Sequence, residues 1–258
     1  MPSFRHSKES RVALDGYDAS LITTEFEAKN SVSVGDITTI ADNDRKYLPG
    51  LVMSEYPLAG HADFASTSID KTEFESKLGG STSRIVMSMC PEGYTVGRRA
   101  ILDYVIPTQY DFKSPLDGIV EFSGNMVPVS TGNANTHRAT KTAQGVVLLR
   151  STALSTSTSA GATQDQTAAS TRGYVAHLHA MGGTIGSTKV VDIEVQHSSN
   201  GTTWANLTSI TAINASGVYL GSARAFSTSA AVKRYVRGAC VTQTSTGEPA
   251  VLLTFARR

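Results

Sequence analysis

Residues Lys189 to Leu207 read KVVDIEVQHSSNGTTWANL, and this stretch decides the fold class. Val191, Ile193 and Val195 alternate with Asp192, Glu194 and Gln196, the period-two pattern of a strand with one face in a core and the other wet. Ser199, Asn200 and Gly201 follow, where Asn and Gly tolerate the positive φ of a tight hairpin turn, and Trp204 and Leu207 lie on the returning strand. The grammar recurs at Tyr174 to Ala180, Val218 to Ala225, Lys233 to Thr242 and Ala250 to Ala256. Six or more strands with regular turns predict an antiparallel β-sandwich for the C-terminal part.

Towards the N-terminus the pattern predicts short strands at Arg11 to Tyr17 and Leu21 to Ala28 around the Asp15-Gly16 turn. Asn30 to Gly50 reads as a long polar loop, and a loop of that length inside a domain is usually functional or disordered. Leu51 to Gly60 resumes as a strand. Ser66 to Leu78 reads as an α-helix, with Ser and Thr as N-caps, Asp70 in the first turn, Phe74 and Leu78 on one face, and Gly79-Gly80 as the stop. Arg84 to Met89, Arg98 to Gln109 and Leu116 to Met126 complete this part as strands, broken by Pro91-Glu92-Gly93 and Ser114-Pro115. Composition turns to Ser, Thr, Asn and Gly after Val129, which sets a division into 1–139 and 140–258, with the Ser/Thr-rich run 151–173 as weak outer strands or a surface loop. The expected class is mainly β: an N-terminal β-sandwich or barrel domain with one α-helix, then the C-terminal sandwich.

The 258 residues carry 23 basic and 22 acidic groups, a formal +1, and charged residues make up 17 % against about 25 % in a typical domain. That balance excludes a polyelectrolyte gripping nucleic acid through its phosphates. Ser, Thr, Ala and Gly stand in for the missing charge and suit flat, closely packed β surfaces that self-associate. The first residues lack the apolar core of a secretory signal, so synthesis in a reducing cytoplasm is expected, with Cys90 and Cys240 as buried thiols. No window approaches the ~18 apolar residues of a membrane span.

The chemistry-bearing motifs are sparse. His177 and His179 lie on one face of a strand and His197 ends another, but no carboxylate or cysteine completes a zinc set, so surface or half-buried histidines are expected. Gly182 to Lys189 is glycine-rich, yet a strand follows it where a phosphate loop requires a helix. His61 and Asp63 read as a polar strand end. No nucleophile elbow or metalloprotease motif occurs, so no catalytic residue, cofactor or metal is assigned and an enzyme is not expected. The lone Trp204 is expected as a core anchor, with contact to a glycan as the alternative.

The order of motifs is recognisable. A Gly-Asp-x-Thr-Thr segment (Gly35 to Thr39), Tyr-Leu-Pro-Gly-Leu (Tyr47 to Leu51), a strand ending at Gly60, a single helix closed by Leu-Gly, and EFSGN (Glu121 to Asn125) together resemble the tail tube (major tail) proteins of long, flexible-tailed bacteriophages. VQHSSNGTTWANL, KRYVRGACVTQTSTG and VLLTFARR are similar to the appended β-sandwich in tail tube proteins of phages infecting actinobacteria. The resemblance implies a structural virion protein, assembled in the host cytoplasm, whose six-membered rings close a shared β-barrel and stack into a hollow tube. Its implied partners are its own copies, a tape measure protein in the bore, tail terminator and distal tail proteins at the ends, and double-stranded DNA in transit. The segment from Asp36 to Pro49, with Asp42, Asp44, Arg45, Lys46, Tyr47 and Leu48, matches the extended loop that reaches a neighbouring subunit or ring. Glu25, Glu27, Glu55 and Glu121, opposite Phe26, Tyr56 and Phe122 on their strands, would face the bore and repel phosphates. Residues 140–258 would decorate the outside and shield the wall or touch host glycans. Rival readings are another virion component, such as a tail terminator or decoration protein, and a carbohydrate-binding module.

Overall fold

Alternating and fully apolar runs both become strands here, and which of the two a segment shows depends on how many of its faces are covered. The computed structural model describes residues 7–40, 44–65, 68–80, 84–129, 143–151, 160–185, 191–212, 217–243 and 250–257. In chain order the strands are Arg11–Leu14 (β1), Tyr17–Asp18 (β2), Thr23–Phe26 (β3), Lys29–Asp36 (β4), Tyr47–His61 (β5), Ile85–Cys90 (β6), Arg99–Lys113 (β7) and Glu121–Pro128 (β8). Then follow Ala143–Ser151 (β9), Gln164–Asp165 (β10), Tyr174–Ile185 (β11), Val191–Ser198 (β12), Ala205–Ala212 (β13), Gly217–Ser227 (β14), Tyr235–Gln243 (β15) and Val251–Arg257 (β16). The protein is mainly β, with antiparallel pairing.

By internal contact the chain forms two units. One comprises Met1–Leu21, Ile85–Asp103 and Ala143–Arg258, the other Ile22–Arg84 and Tyr104–Thr142. This partition does not follow the change of composition near residue 140: β1, β2 and β6, early in the sequence, share a sheet with strands that lie after residue 143. The stretch 130–142, where composition places the junction, lies outside the described residues.

In the first unit β14, β11, β16 and β9 lie side by side, followed by the start of β7, then β6, β1 and β2, while β10, β15, β12 and β13 form a separate four-stranded sheet. Leu149, Tyr174, Ala176, Leu178, Leu253 and Phe255 pack against Ile193, Val195, Ile210, Val236 and Cys240 of the smaller sheet. The alternate residues Val147, Val175, Leu252 and Ala256 turn the other way and meet Ala13, Cys90, Ala100 and Leu102. With both faces covered, residues 147–149 of β9, 174–180 of β11 and 251–256 of β16 are buried without a break, whereas β12, covered on one side, keeps the alternation that first revealed it. Leu253 faces Leu149 and Thr254 faces Val147, so β9 carries one extra residue at Leu148, and this bulge sends both leucines into the same core. Ser198 Oγ accepts from the Asn200 and Gly201 amides (3.2 and 3.0 Å) and Asn200 Oδ1 from those of Thr202 and Thr203 (3.0 and 2.9 Å), which fixes the loop after β12. Within the Ser/Thr-rich run, Gln164–Asp165 pairs with β15 as an outer strand and Asp165 grips Arg234 at 2.6 Å.

The second unit is a sheet in which β3 and β4 both pair with β5, and β8 and the later part of β7 follow. The helix predicted over 66–78 is present as Asp70–Glu75, wound as a π-helix and not an α-helix. Its Ser76 amide reaches back five residues to the Lys71 carbonyl (2.9 Å), a wide turn that puts Asp70, Glu73 and Phe74 on one buried side. No side chain caps its start, contrary to the expected Ser/Thr cap, and Leu78, whose amide donates to the Phe74 carbonyl (2.9 Å), is 43 % exposed. Phe74 stands 5.8 Å from the Phe122 ring and 6.3 Å from that of Tyr110, and the absent side chain of Gly124 admits it, since a Cβ there would lie 2.7 Å from the ring. Phe74→Ala should therefore cost about 3–5 kcal/mol, read as a drop in urea midpoint at unchanged slope.

Candidate assembly surfaces

The long polar loop expected between Asn30 and Gly50 is in large part a hairpin arm. β4 pairs with the first half of β5 from Lys29↔Glu55 to Asp36↔Tyr47, and only residues 37–46 connect them. The sequence hid the strand because neither face of it is buried: every residue of β4 is exposed. Val32 faces Val52 and Val34 faces Pro49, so β5 carries an extra residue opposite Ser33 and the arm bends there. At the tip Asp36 Oδ1 accepts from the Thr38 amide (2.9 Å) and hydroxyl, and Thr38 Oγ1 accepts from the Lys46 amide (2.9 Å). These bonds hold the Asp36 carboxyl below its usual range and close the turn. Arg45 donates to the Tyr47 hydroxyl at 3.4 Å. Asp36, Asp44, Arg45, Lys46, Tyr47, Leu48 and Pro49 are exposed, and Asp42 lies outside the described residues. Val34, Ile37, Ile40, Tyr47 and Leu48 are 51–108 % exposed, a density of wet apolar side chains that marks an interaction surface.

On the sheet of the second unit, Phe122, Gly124 and Met126 point to the core while Glu121, Ser123 and Asn125 point out, and β5 aligns Pro57, Ala59 and His61 with that outer row. Glu25 pairs across to Ala59, and Glu25, Glu27 and Glu55 line one depression of about 340 Å³ together with Gln109, Ser123, Asn125 and Lys29, whose ammonium is 3.3 Å from Glu27. Three of the four carboxylates proposed from sequence thus converge. Glu121 does not join them: it lies at the far end of β8, paired with His61 and 3.8 Å from the Lys113 ammonium.

Trp204 is not the core anchor expected of it. It is partly exposed, with the Arg237 guanidinium 4.2 Å from its ring centre; Arg237 donates to Gln196 Oε1 (2.9 Å), and Gln196 Nε2 donates to Glu194 Oε2 (2.9 Å). The outward residues of the β12 alternation form this polar platform, so the tryptophan closes a row of wet side chains.

His177 and His179 are fully buried, contrary to the surface or half-buried placement expected, because β11 is covered on both faces. His197 sits on β12 in the other sheet of the unit, and no group of three His, Cys, Asp or Glu able to hold a metal occurs among the described residues. The Gly16 amide donates to His179 Nδ1 (3.4 Å), which leaves Nε2–H to donate to Ser88 Oγ (2.9 Å). Ser88 also bonds Thr254 Oγ1 (2.9 Å), and His177 Nδ1–H donates to the Met87 carbonyl (3.0 Å). Both rings are neutral in this network. Burial lowers His179 from 6.5 to about 4 against the opposing pull of Asp15, and lowers His177 well below 6.5, with His179 and Arg224 adding to the effect. A folded pKa below the unfolded one means that stability is complete above about 6.5 and is lost as pH falls towards 4. His179 alone should remove about 2 kcal/mol between about pH 7 and pH 5, measured as urea midpoints, and His179→Gln should flatten that slope.

Cys90 and Cys240 are buried thiols, as expected, and burial pushes Cys90 up to about 12. Sequence reading missed an exposed cluster in the second unit. Residues 116–120 were expected to begin a strand, but β8 starts at Glu121, and the loop leaves Leu116 and Ile119 100 % and 64 % exposed; elsewhere in the unit Phe64 and Phe112, stacked with ring centres 6.5 Å apart, are 76 % and 52 % exposed. Two apolar residues flanking Asp117-Gly118 after Ser114-Pro115 were the available signal.

No protein-family model matches the chain, and no curated protein matches it. Among solved structures, the tail of an empty gene transfer agent particle, determined with C6 symmetry, is similar at 11 % identity and TM-score 0.34, over 43 % of this chain and 79 % of that one. The SPP1 tail tube is similar at 10 % identity and TM-score 0.38 over 48 % of this chain and 76 % of that one. The SPP1 Dit protein, a hub protein of the adsorption apparatus, is similar at 11 % identity and TM-score 0.36 over 96 % and 98 % of the two chains.

Proposed function

We propose that the chain is a structural subunit of a bacteriophage tail, and more narrowly the tail tube protein, whose copies form six-membered rings that stack into a pipe for DNA. The observation that carries this reading is the β4–β5 arm. A two-stranded ribbon whose β4 residues are all exposed is marginal by itself in water, and one that also exposes Val34, Ile37, Ile40, Tyr47 and Leu48 gains most from docking on another copy. The ordered set of motifs that resembles tail tube proteins supports the same reading. A role without turnover fits it, as does a place in the virion after assembly in the host cytoplasm.

Glu25, Glu27 and Glu55 on the wet face of the sheet suit a bore that must repel phosphates and leave a duplex free to slide. Glu121, at the rim and 3.8 Å from Lys113, and Glu27, 3.3 Å from the Lys29 ammonium, are weaker than Glu25 and Glu55 for that role. Residues 140–258 are proposed as the exterior decoration, and a tape measure protein, a terminator and a distal tail protein as the further partners. Electron microscopy of the purified protein tests the core of the proposal: long hollow rods are expected. A chain that stays monodisperse at high concentration, or a tube whose bore at β3 and β5 is lined by lysine and arginine, would contradict it.

The platform at Trp204 and Arg237 gives a glycan-binding reading one specific observation, an aromatic ring held at a wet surface. Glycan-array signal that disappears in Trp204→Ala would establish it as a second role for the decorating part.

A further inference from the structure

We infer that His179 is an acid-operated latch: a proton taken up on its Nδ1 releases the Asp15-Gly16 turn from β11 and β14 while the rest of the first unit stays folded. The inference goes beyond the tube reading and does not rest on it. On one face of the sheet, Val175 lies opposite Ala256, His177 opposite Thr254 and His179 opposite Leu252. Around Val175, Leu252 and Ala256 that face meets apolar side chains, but around the two histidines it meets polar groups: Ser88, the Met87 carbonyl and the turn. Two bonds tie the turn to β11 and β14, from the Gly16 amide to His179 Nδ1 (3.4 Å) and from Ser222 Oγ to Asp15 Oδ1 (2.8 Å). Its bonds to β6 are separate: the Asp15 amide donates to the Val86 carbonyl (3.1 Å) and Asp15 Oδ1 accepts from the Val86 amide (2.8 Å).

These bonds decide where a proton can go. A backbone amide only donates, so Nδ1 is the bare nitrogen of the neutral ring, and Nε2 holds the hydrogen given to Ser88. Protonation of Nδ1 therefore sets two N–H groups against each other. Gly16 is seated so closely that a Cβ would lie 2.3 Å from the Gly221 nitrogen, which leaves the amide no room to swing aside, and the turn has to lift. Few charges surround the pair. Asp15 attracts the imidazolium, but its Oδ1 already accepts two bonds; Arg224, opposite His177 on β14, repels a second charge there; β6 and β16 present the uncharged Ser88 and Thr254. His177 makes no bond to the turn, since its Nδ1–H goes to Met87 on β6. The ring is hard to charge while the turn is closed, at about 4, and returns to 6.5 once the turn is open. The closed turn is thus favoured in full above about pH 6.5, and the open fraction grows as pH falls towards 4.

Hydrogen exchange of the full-length chain at pH 7 and pH 5 tests the latch, read at the Gly16 amide by mass spectrometry with peptide fragmentation and corrected for the intrinsic rate. Exchange at Gly16 should rise about 20-fold over that interval, the factor by which proton uptake favours the open turn. It should also be faster at both pH values than exchange of the Leu252 and Leu253 amides in β16, which open only with the whole unit. His179→Gln, whose side-chain amide can accept from Gly16 and donate to Ser88 without titrating, should hold the rise to less than about threefold, whereas His177→Gln should keep it. Equal rates at Gly16 and in β16 would show that the unit opens as one body and would overturn the latch, as would a rise kept in His179→Gln or lost in His177→Gln. The unaltered chain decides by itself if a variant does not fold: a rise at Gly16 of less than about threefold overturns the inference.

Discussion

Replacing residues 37–46 by Asn-Gly should yield a folded protein that no longer forms rods. Asp36 and Tyr47 face each other in register, so a two-residue turn of the primed type can join β4 to β5 without shifting the pairs behind it. Everything removed is exposed or outside the described residues, and the bonds lost are those of the tip itself, Asp36 to Thr38 and Thr38 to Lys46. The monomer should keep its unfolding midpoint to within about 0.5 kcal/mol. Assembly, by contrast, loses Ile37 and Ile40, the exposed apolar side chains of the tip. Interfaces concentrate their energy in a few such anchors, so the loss should read as an absence of rods and not as a modest rise in the concentration needed. Rods of ordinary length, seen by negative-stain microscopy alongside an unchanged circular dichroism spectrum, would remove the arm from the assembly mechanism.

The contrast between arm and core explains what could be read from residues alone. β12 announced itself because one of its faces is buried, and the alternation of Ile193 and Val195 with Glu194 and Gln196 records that directly. β4 has no buried face, so the pattern that defines a strand was never written into it, and a polar loop was the reading its composition allowed. The helix was visible through Phe74 and its glycine stop, but the five-residue step from Lys71 to Ser76 leaves no periodicity that separates π from α winding. Trp204 was misplaced for a similar reason. An aromatic residue after a turn is equally suited to a core or to a surface stack, and only the position of Arg237 on the paired strand distinguishes them. The partition into units was hidden for a topological reason: β1 pairs with β6, and that sheet continues to strands far along the chain, a relation that composition does not carry. The acidic depression was the most legible part of the candidate site, because alternation fixes which face Glu25 and Glu27 occupy as soon as Phe26 is assigned to the other.

Gly16→Ala should be among the most damaging single substitutions in the first unit, costing roughly 4–6 kcal/mol, although it adds one methyl group. Gly16 sits at φ +90 in the turn between β1 and β2, a region that costs an L-residue about 1–2 kcal/mol. A Cβ there would lie 2.3 Å from the Gly221 nitrogen, 2.5 Å from the Gly221 oxygen and 2.6 Å from the Ala180 oxygen. Those atoms belong to the paired strands β11 and β14, where Ala180 faces Gly221, and a ladder cannot shift one residue without its neighbours. The turn would have to lift away, which also breaks the bond from the Gly16 amide to His179 and the bond from Ser222 Oγ to Asp15 (2.8 Å). His179 would then be buried with an unpaired nitrogen, a further cost of about 1–3 kcal/mol if water does not replace the amide. Gly79→Ala is the internal control. Gly79 has a similar φ of +73 with nothing within 4 Å of its would-be Cβ, so it should lose only the backbone term of about 1–2 kcal/mol. Urea midpoints of the two variants measured together separate close approach from conformational preference, and equal losses at both positions would show that the turn is not seated on β11 and β14 in solution.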